Sequence, residues 1–149
     1  NEGLTHHVGV SAYDLSDLDR AKHNLAIWDT AQIPMNALDQ RFLSASELFP
    51  AIAFQARSIF LQGLLLASNP DHVDVIRFHE FSQSLGVDPL ILSLQFIKEQ
   101  SWLHSVIIAP TSLNEFDQIL NAVDSHTPDI DFDACVSLDV KLLDPRTWN

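Results

Sequence analysis

Short apolar runs of strand character alternate along this chain with segments whose apolar residues recur at helical spacing. No other feature constrains the fold as strongly, because strand, helix, strand, helix is the order that builds a parallel sheet with right-handed crossovers. Four runs read as strands: Val8–Ser11, Thr30–Ile33, Ile52–Arg57 and Ser105–Ala109. The last is the clearest, being β-branched and uncharged. Runs that are apolar on both faces belong to sheets covered by helices.

Between and after them lie helical patterns. Leu15, Leu18, Lys22 and Leu25 recur at helical spacing, and Ser16 with Asp19 resembles a capping box with Asp in place of Glu. Val73, Ile76, Phe78, Phe81 and Leu85 continue the theme, closed by Gly86 at a C′ position. Asp88-Pro89 supplies an N-cap and a proline at the first helical position, with Leu90, Leu94 and Ile97 as the buried stripe behind it. Ser112 and Glu115 form a full capping box ahead of an apolar face of Leu113, Phe116, Ile119, Leu120 and Val123. One more short helix is expected near Ala134–Leu143. Ser68-Asn69-Pro70-Asp71 reads as a turn, and no linker divides the chain, so residues 1–149 are read as one domain.

The bulk properties exclude several functions. At 149 residues, with 46% hydrophobic and 19% charged, the chain is long and apolar enough for one sizeable core. A net charge of -12 repels phosphate backbones, which argues against nucleic acid and anionic membranes as partners. No apolar run is long enough to span a bilayer, and no signal pattern opens the chain. The single cysteine, Cys135, can form no internal disulfide. It reads as a buried, inert thiol in a reducing, cytoplasmic compartment. The histidines are scattered, and Asp129, Asp131 and Asp133 lack the glycine and closing Glu of a calcium loop, so no metal site is expected. The sequence begins with Asn1 and not Met, which reads as processing or as a piece of something longer.

In parallel α/β folds, ligands bind where strands end and loops enter the next helix. Four such ends can be read: Ser11-Ala12-Tyr13-Asp14, Gln32-Ile33-Pro34-Met35-Asn36, Arg57-Ser58-Ile59-Phe60 and Ala109-Pro110-Thr111-Ser112. Each places small or hydrogen-bonding side chains where an apolar strand stops. The fourth opens a helix, whose N–H groups and dipole favour a phosphate. Arg57 ends an apolar strand, where a charge wants a partner or a ligand.

Taken in order, these ends resemble the aldo/keto reductase family over nearly the whole chain. Val8-Gly-Val-Ser11 is similar to the family's fifth barrel strand. Ala31-Gln-Ile-Pro-Met-Asn36 with Leu38-Asp-Gln-Arg41 is similar to the sixth, and Gln55-Ala-Arg-Ser58 with Leu61-Gln-Gly-Leu-Leu65 to the seventh. Leu85-Gly-Val-Asp-Pro89 and Ser105-Val-Ile-Ile-Ala-Pro-Thr-Ser112 resemble the penultimate helix start and the eighth strand. Asp144-Pro-Arg-Thr-Trp148 resembles a common tail. The resemblance implies the C-terminal half of a parallel (β/α) TIM-type barrel, about four strand–helix units of a fold that typically needs about 250 residues.

It also implies a nicotinamide dinucleotide, NADP or NAD. Ser11 and Gln32 would hydrogen-bond the carboxamide. Arg57 stands where many members stack an aromatic on the ring. Ser58 and Phe60 would line the pyrophosphate, and Thr111, Ser112 and Glu115 the adenosine end. Ala12 replaces a frequent amide, and Ile119 a frequent asparagine. Glu115 lies where Arg or Gln is frequent, and an acid there implies NAD tolerance or a weakened NADP site. The stretch from Phe42 to Ala51 is short by about one helical turn. The family's catalytic Asp, Tyr, Lys and His lie on the other half of the barrel, so no residue here is given a catalytic role, Tyr13 included. The intact protein would interconvert a carbonyl substrate and its alcohol, while this chain alone would bind cofactor weakly and turn over nothing. The alternatives are a cofactor-sensing regulatory subunit and a half-barrel that pairs with itself as a homodimer.

Overall fold

The computed structural model describes residues 3–24, 28–125, 127 and 129–148. Four strands, β1 Gly9–Ser11, β2 Thr30–Pro34, β3 Ala53–Arg57 and β4 Ser105–Val106, form one sheet in the order β1-β2-β3-β4, every pair parallel. The helices are α1 Leu15–Asn24, α2 Ala45–Leu48, α3 Val73–Leu85, α4 Pro89–Glu99, α5 Leu113–Val123 and α6 Val140–Leu143. Short 3-10 turns occupy Leu61–Leu66, Phe132–Cys135 and Pro145–Thr147. Among the described residues, no helix is long and apolar enough to cross a membrane.

The sheet does not have two apolar faces, which corrects the reading of its strands. Ala31, Ile33, Phe54 and Ala56 are buried against the helical layer. On the other face the register aligns Ser11 with Gln32, Gln32 with Gln55 and Gln55 with Ser105, a polar row crossing all four strands. Alternation along each strand sends these side chains to one side together. That side is the face turned away from the buried Ala31, Ile33, Phe54 and Ala56.

β4 is shorter than Ser105–Ala109. Ile107 N–H still reaches the Ala56 carbonyl at 2.8 Å, but β3 turns away at Ser58, whose φ is +56°, so Ile108 and Ala109 have no strand left to pair with. Gly9 is needed where β1 meets β2: a Cβ there would lie 2.0 Å from Thr30 Oγ1 and 2.8 Å from the Thr30 carbonyl oxygen. Gly9→Ala should therefore lower stability by about 1–3 kcal/mol, read from the urea midpoint. An unchanged midpoint would mean that β1 can move off β2 at no cost.

The helix caps follow local chemistry. Asp14 Oδ1 accepts Asp17 N–H, while Asp17 Oδ2 accepts Tyr13 N–H at 2.7 Å and Asp14 N–H at 3.2 Å. The reciprocal cap of α1 is thus Asp14 with Asp17, two residues upstream of the Ser16–Asp19 pair. Leu25, assigned to the same helix from the sequence, lies outside the described residues. Asp88 accepts Leu90 N–H at 2.8 Å, as its place before Pro89 implies. Gly86, at φ +64°, closes α3 with Val87 N–H bonded to the Ser82 carbonyl.

Two stripes differ from expectation. α3 buries Val75, Phe78 and Ser82, whereas Val73 lies in its first turn and is exposed. α5 buries only Ile119 and Ala122, leaving Leu113 82% and Leu120 50% exposed, with Phe116 and Val123 partly so. The reason is position: α5 follows the edge strand β4 and packs chiefly against α4, which covers one side of it. The tail is docked, since Gln40 Nε2 donates to the Phe132 carbonyl and Ser137 N–H to that of Leu38. Cys135 is buried, and burial pushes its thiol up to about 11, so it is an unreactive packing residue.

Candidate functional site

The carboxyl ends of all four strands open into one cavity of about 960 Å³. This lies at the upper end of the range for ligand pockets, about 300–1,000 Å³. Ser11, Gln32, Arg57, Ser58, Phe60, Thr111 and Glu115 line it together. Ser112 does not. Its Oγ accepts Glu115 N–H at 3.2 Å, so it caps α5 and faces the helix.

The wall after β3 is strained. Ser58, Leu61 and Gln62 all have positive φ, at +56°, +47° and +55°. Left-handed backbone costs a non-glycine residue about 1–2 kcal/mol, so other contacts must hold this loop. Asn36, buried at the exit of β2, does so: its Nδ2 donates to the Ser58 carbonyl at 3.1 Å, and its Oδ1 accepts Leu38 N–H and Asp39 N–H at 3.0 Å. Asp39 is buried too and is bound by Arg41 through Nε and Nη2, both at 2.7 Å. The result is a rigid corner. In it, the N–H groups of Ser58, Ile59 and Phe60 donate to no protein acceptor among the described residues. Successive N–H groups left open in a turn form an anion-binding concavity.

Charge is distributed unevenly along the cavity. Arg57 donates to the Ala12 carbonyl at 3.2 Å and to Ser58 Oγ at 3.4 Å, and makes no ion pair among the described residues. At the far end, Glu115 accepts Thr111 N–H at 2.6 Å and Thr111 Oγ1 at 2.9 Å. The Thr111 backbone bond holds this carboxyl below its usual range. The side chain of the capping box therefore reaches one residue further back than Ser112. A cation at one end, open N–H groups in the middle and a fixed acid at the other end suit an elongated ligand with an anionic centre.

Three polar lining residues, Tyr13, Gln62 and Gln118, were given no binding role from the sequence. Gln118 stands one helical turn beyond Glu115, a spacing that could have found it. Gln62 is aimed by its left-handed backbone, which no local pattern announces.

A parallel βα sheet with a ligand cavity at the carboxyl ends of its strands is the architecture of barrel and doubly wound enzymes. Comparison with known proteins narrows this. The sequence model of the aldo/keto reductase family matches residues 1–140, and the chain belongs to that family. No curated protein matches the sequence. Among solved structures, aldo-keto reductase AKR11C1 from Bacillus halodurans in its apo form superposes with a TM-score of 0.70 at 16% identity, over 86% of this chain and 48% of that one. Its holo form gives 0.69 at the same identity and coverage. The glycerol dehydrogenase AKR11B4 from Gluconobacter oxydans gives 0.50 at 13% identity, over 84% of this chain and 52% of that one. The chain thus spans about half the length of these structures, and the likeness identifies the fold as a segment of their barrel.

Proposed function

We propose that this chain is the dinucleotide-binding half of an NAD(P)H-dependent aldo/keto reductase that interconverts carbonyls and alcohols. The reading is carried by the convergence of four strand ends on one cavity that holds a guanidinium without a carboxylate partner and a run of open N–H groups, both among the described residues. When bound, the dinucleotide supplies the hydride. Ser11 and Gln32, neighbours in register, present hydrogen-bonding groups for a carboxamide. Arg57 offers a planar cation beside them. Ser58, Ile59 and Phe60 donate to the pyrophosphate, while Thr111 and Glu115 bound the adenosine end. The fixed acid at Glu115 disfavours a 2′-phosphate, so NAD is the better-matched cofactor. No proton donor is assigned within residues 1–149; that role falls to the other half of the barrel. The buried, unreactive thiol of Cys135 fits a cytoplasmic protein.

The same reading bears on the partner. β4 leaves Val106 41% exposed, and α5, which follows it, exposes Leu113 and Leu120. On the opposite edge, α1 exposes Asp19, Arg20, Lys22 and His23. An apolar seam and a charged one do not complement each other, which favours closure by a different βα half over pairing with a second copy.

Titrating the chain with NADH, followed by cofactor fluorescence, tests the proposal. Weak, saturable binding with no NADH oxidation in the presence of a generic aldehyde is expected. Failure to bind, or clear turnover by this chain alone, would overturn it.

A further inference from the structure

Tyr13 is the only tyrosine in the chain and stands at the exit of β1 on the cavity wall. The Cζ of Arg57 lies 4.3 Å from its ring centroid, and the Cζ of Arg146 lies 3.7 Å from the same point. Two guanidinium groups that close to one centroid would overlap on a single face, so they take opposite faces and the phenol ring is sandwiched. Each half of the sandwich is anchored separately. Arg146 is gripped by the buried Asp144, with Nε to Oδ1 at 2.8 Å and Nη2 to Oδ2 at 2.6 Å. The turn carrying them is tied to α6, where Trp148 Nε1 donates to the Lys141 carbonyl at 2.8 Å and Thr147 Oγ1 to the same oxygen at 2.9 Å. Tyr13 is set by its own N–H, bonded to Asp17.

Asp144 neutralises Arg146, whereas Arg57 has no carboxylate partner among the described residues. The stack therefore holds a net positive charge against the cavity. A side chain as long as arginine would otherwise sample many rotamers.

We propose that Tyr13 and Arg146 are positioning residues for Arg57, through which the C-terminal tail fixes a cation where it favours the reduced over the oxidised dinucleotide. This rests on the dinucleotide reading above. The oxidised nicotinamide ring is itself cationic and the reduced ring is neutral, so a stationary guanidinium beside the ring repels one and not the other. Released from the ring face, Arg57 moves into solvent and the discrimination weakens.

The measurement is the ratio of Kd for NAD+ to Kd for NADH, by calorimetry, for the chain and its variants. The chain should favour NADH. Arg146→Ala, Arg146→Lys and Tyr13→Leu should each lower the ratio by about two- to fivefold, the size of one lost cation–π contact. Tyr13→Phe, which keeps the ring, should retain it. A role confined to folding would weaken both cofactors alike and leave the ratio unmoved. Labelling the ring carbons of tyrosine gives signals from Tyr13 alone, which should shift in Arg57→Ala and in Arg146→Ala without any ligand. If neither dinucleotide binds, the functional reading falls and takes this inference with it. If both bind but the ratio is unchanged in Arg146→Ala and Tyr13→Leu, or the ring signal stays put, only the positioning role is overturned.

Discussion

Asn36→Ala should destabilise the chain by about 3–4 kcal/mol, because it strands several buried polar groups at once. The side chain is fully buried and makes three hydrogen bonds, to Leu38 N–H, Asp39 N–H and the Ser58 carbonyl. Alanine leaves both N–H groups without an acceptor, at about 1–3 kcal/mol each. The Ser58 carbonyl suffers less, since it also accepts Leu61 N–H at 2.9 Å. Against a total stability of about 5–15 kcal/mol for a domain, that is a large share. Urea denaturation reads it directly. Asn36→Asp is the informative comparison: it keeps the two accepted bonds but turns a buried carboxylate toward the Ser58 carbonyl, so it should also destabilise, and least at acid pH, where the protonated group can donate. A loss below about 1 kcal/mol for Asn36→Ala would mean that water replaces the side chain and that the corner is not rigid. The same substitution should weaken ligand binding, because Ser58 is held left-handed by this contact and the open N–H groups follow from that conformation.

Much of this was legible in the residues, and the exceptions have physical causes. The strand–helix alternation announced the parallel sheet because periodicity is a local property, and the caps at Asp88 and Ser112 are read within three or four residues. Cavity residues at strand ends were also accessible, since a parallel sheet puts all its carboxyl ends on one side. The polar row from Ser11 to Ser105 was missed because each member looks like an isolated polar residue in its own strand. Only the register aligns them. The exposure of α5's apolar face was not legible, because periodicity reports that a face is apolar, not that a neighbour is present to cover it. The Tyr13 sandwich was invisible for the same kind of reason: Arg146 is far away in sequence and approaches only when the tail folds back.

Glu115→Arg should change the cofactor preference more than any other single substitution, raising NADPH affinity relative to NADH by about ten- to a hundredfold. Two effects act in the same direction. An acid that would repel a 2′-phosphate is replaced by a guanidinium that would bind it in bidentate fashion. Thr111 N–H, now occupied by the carboxylate at 2.6 Å, becomes available to an anion at the start of α5. Glu115→Gln removes the charge without supplying a cation, so it should fall between the two. The pH dependence has a definite sign. The Thr111 contacts hold the carboxyl below its usual range, so it stays charged across neutral and mildly acidic pH. A phosphate monoester gains its second charge near pH ~6. Discrimination against NADPH should thus strengthen as pH rises through that region, and disappear only when pH falls through the depressed carboxyl pKa. In Glu115→Arg the trend reverses, with NADPH binding tightening as the phosphate ionises. Competitive titration of NADH against NADPH at several pH values checks both slopes. A strong NADPH preference in the unsubstituted chain would show that Glu115 does not face the 2′ position at all.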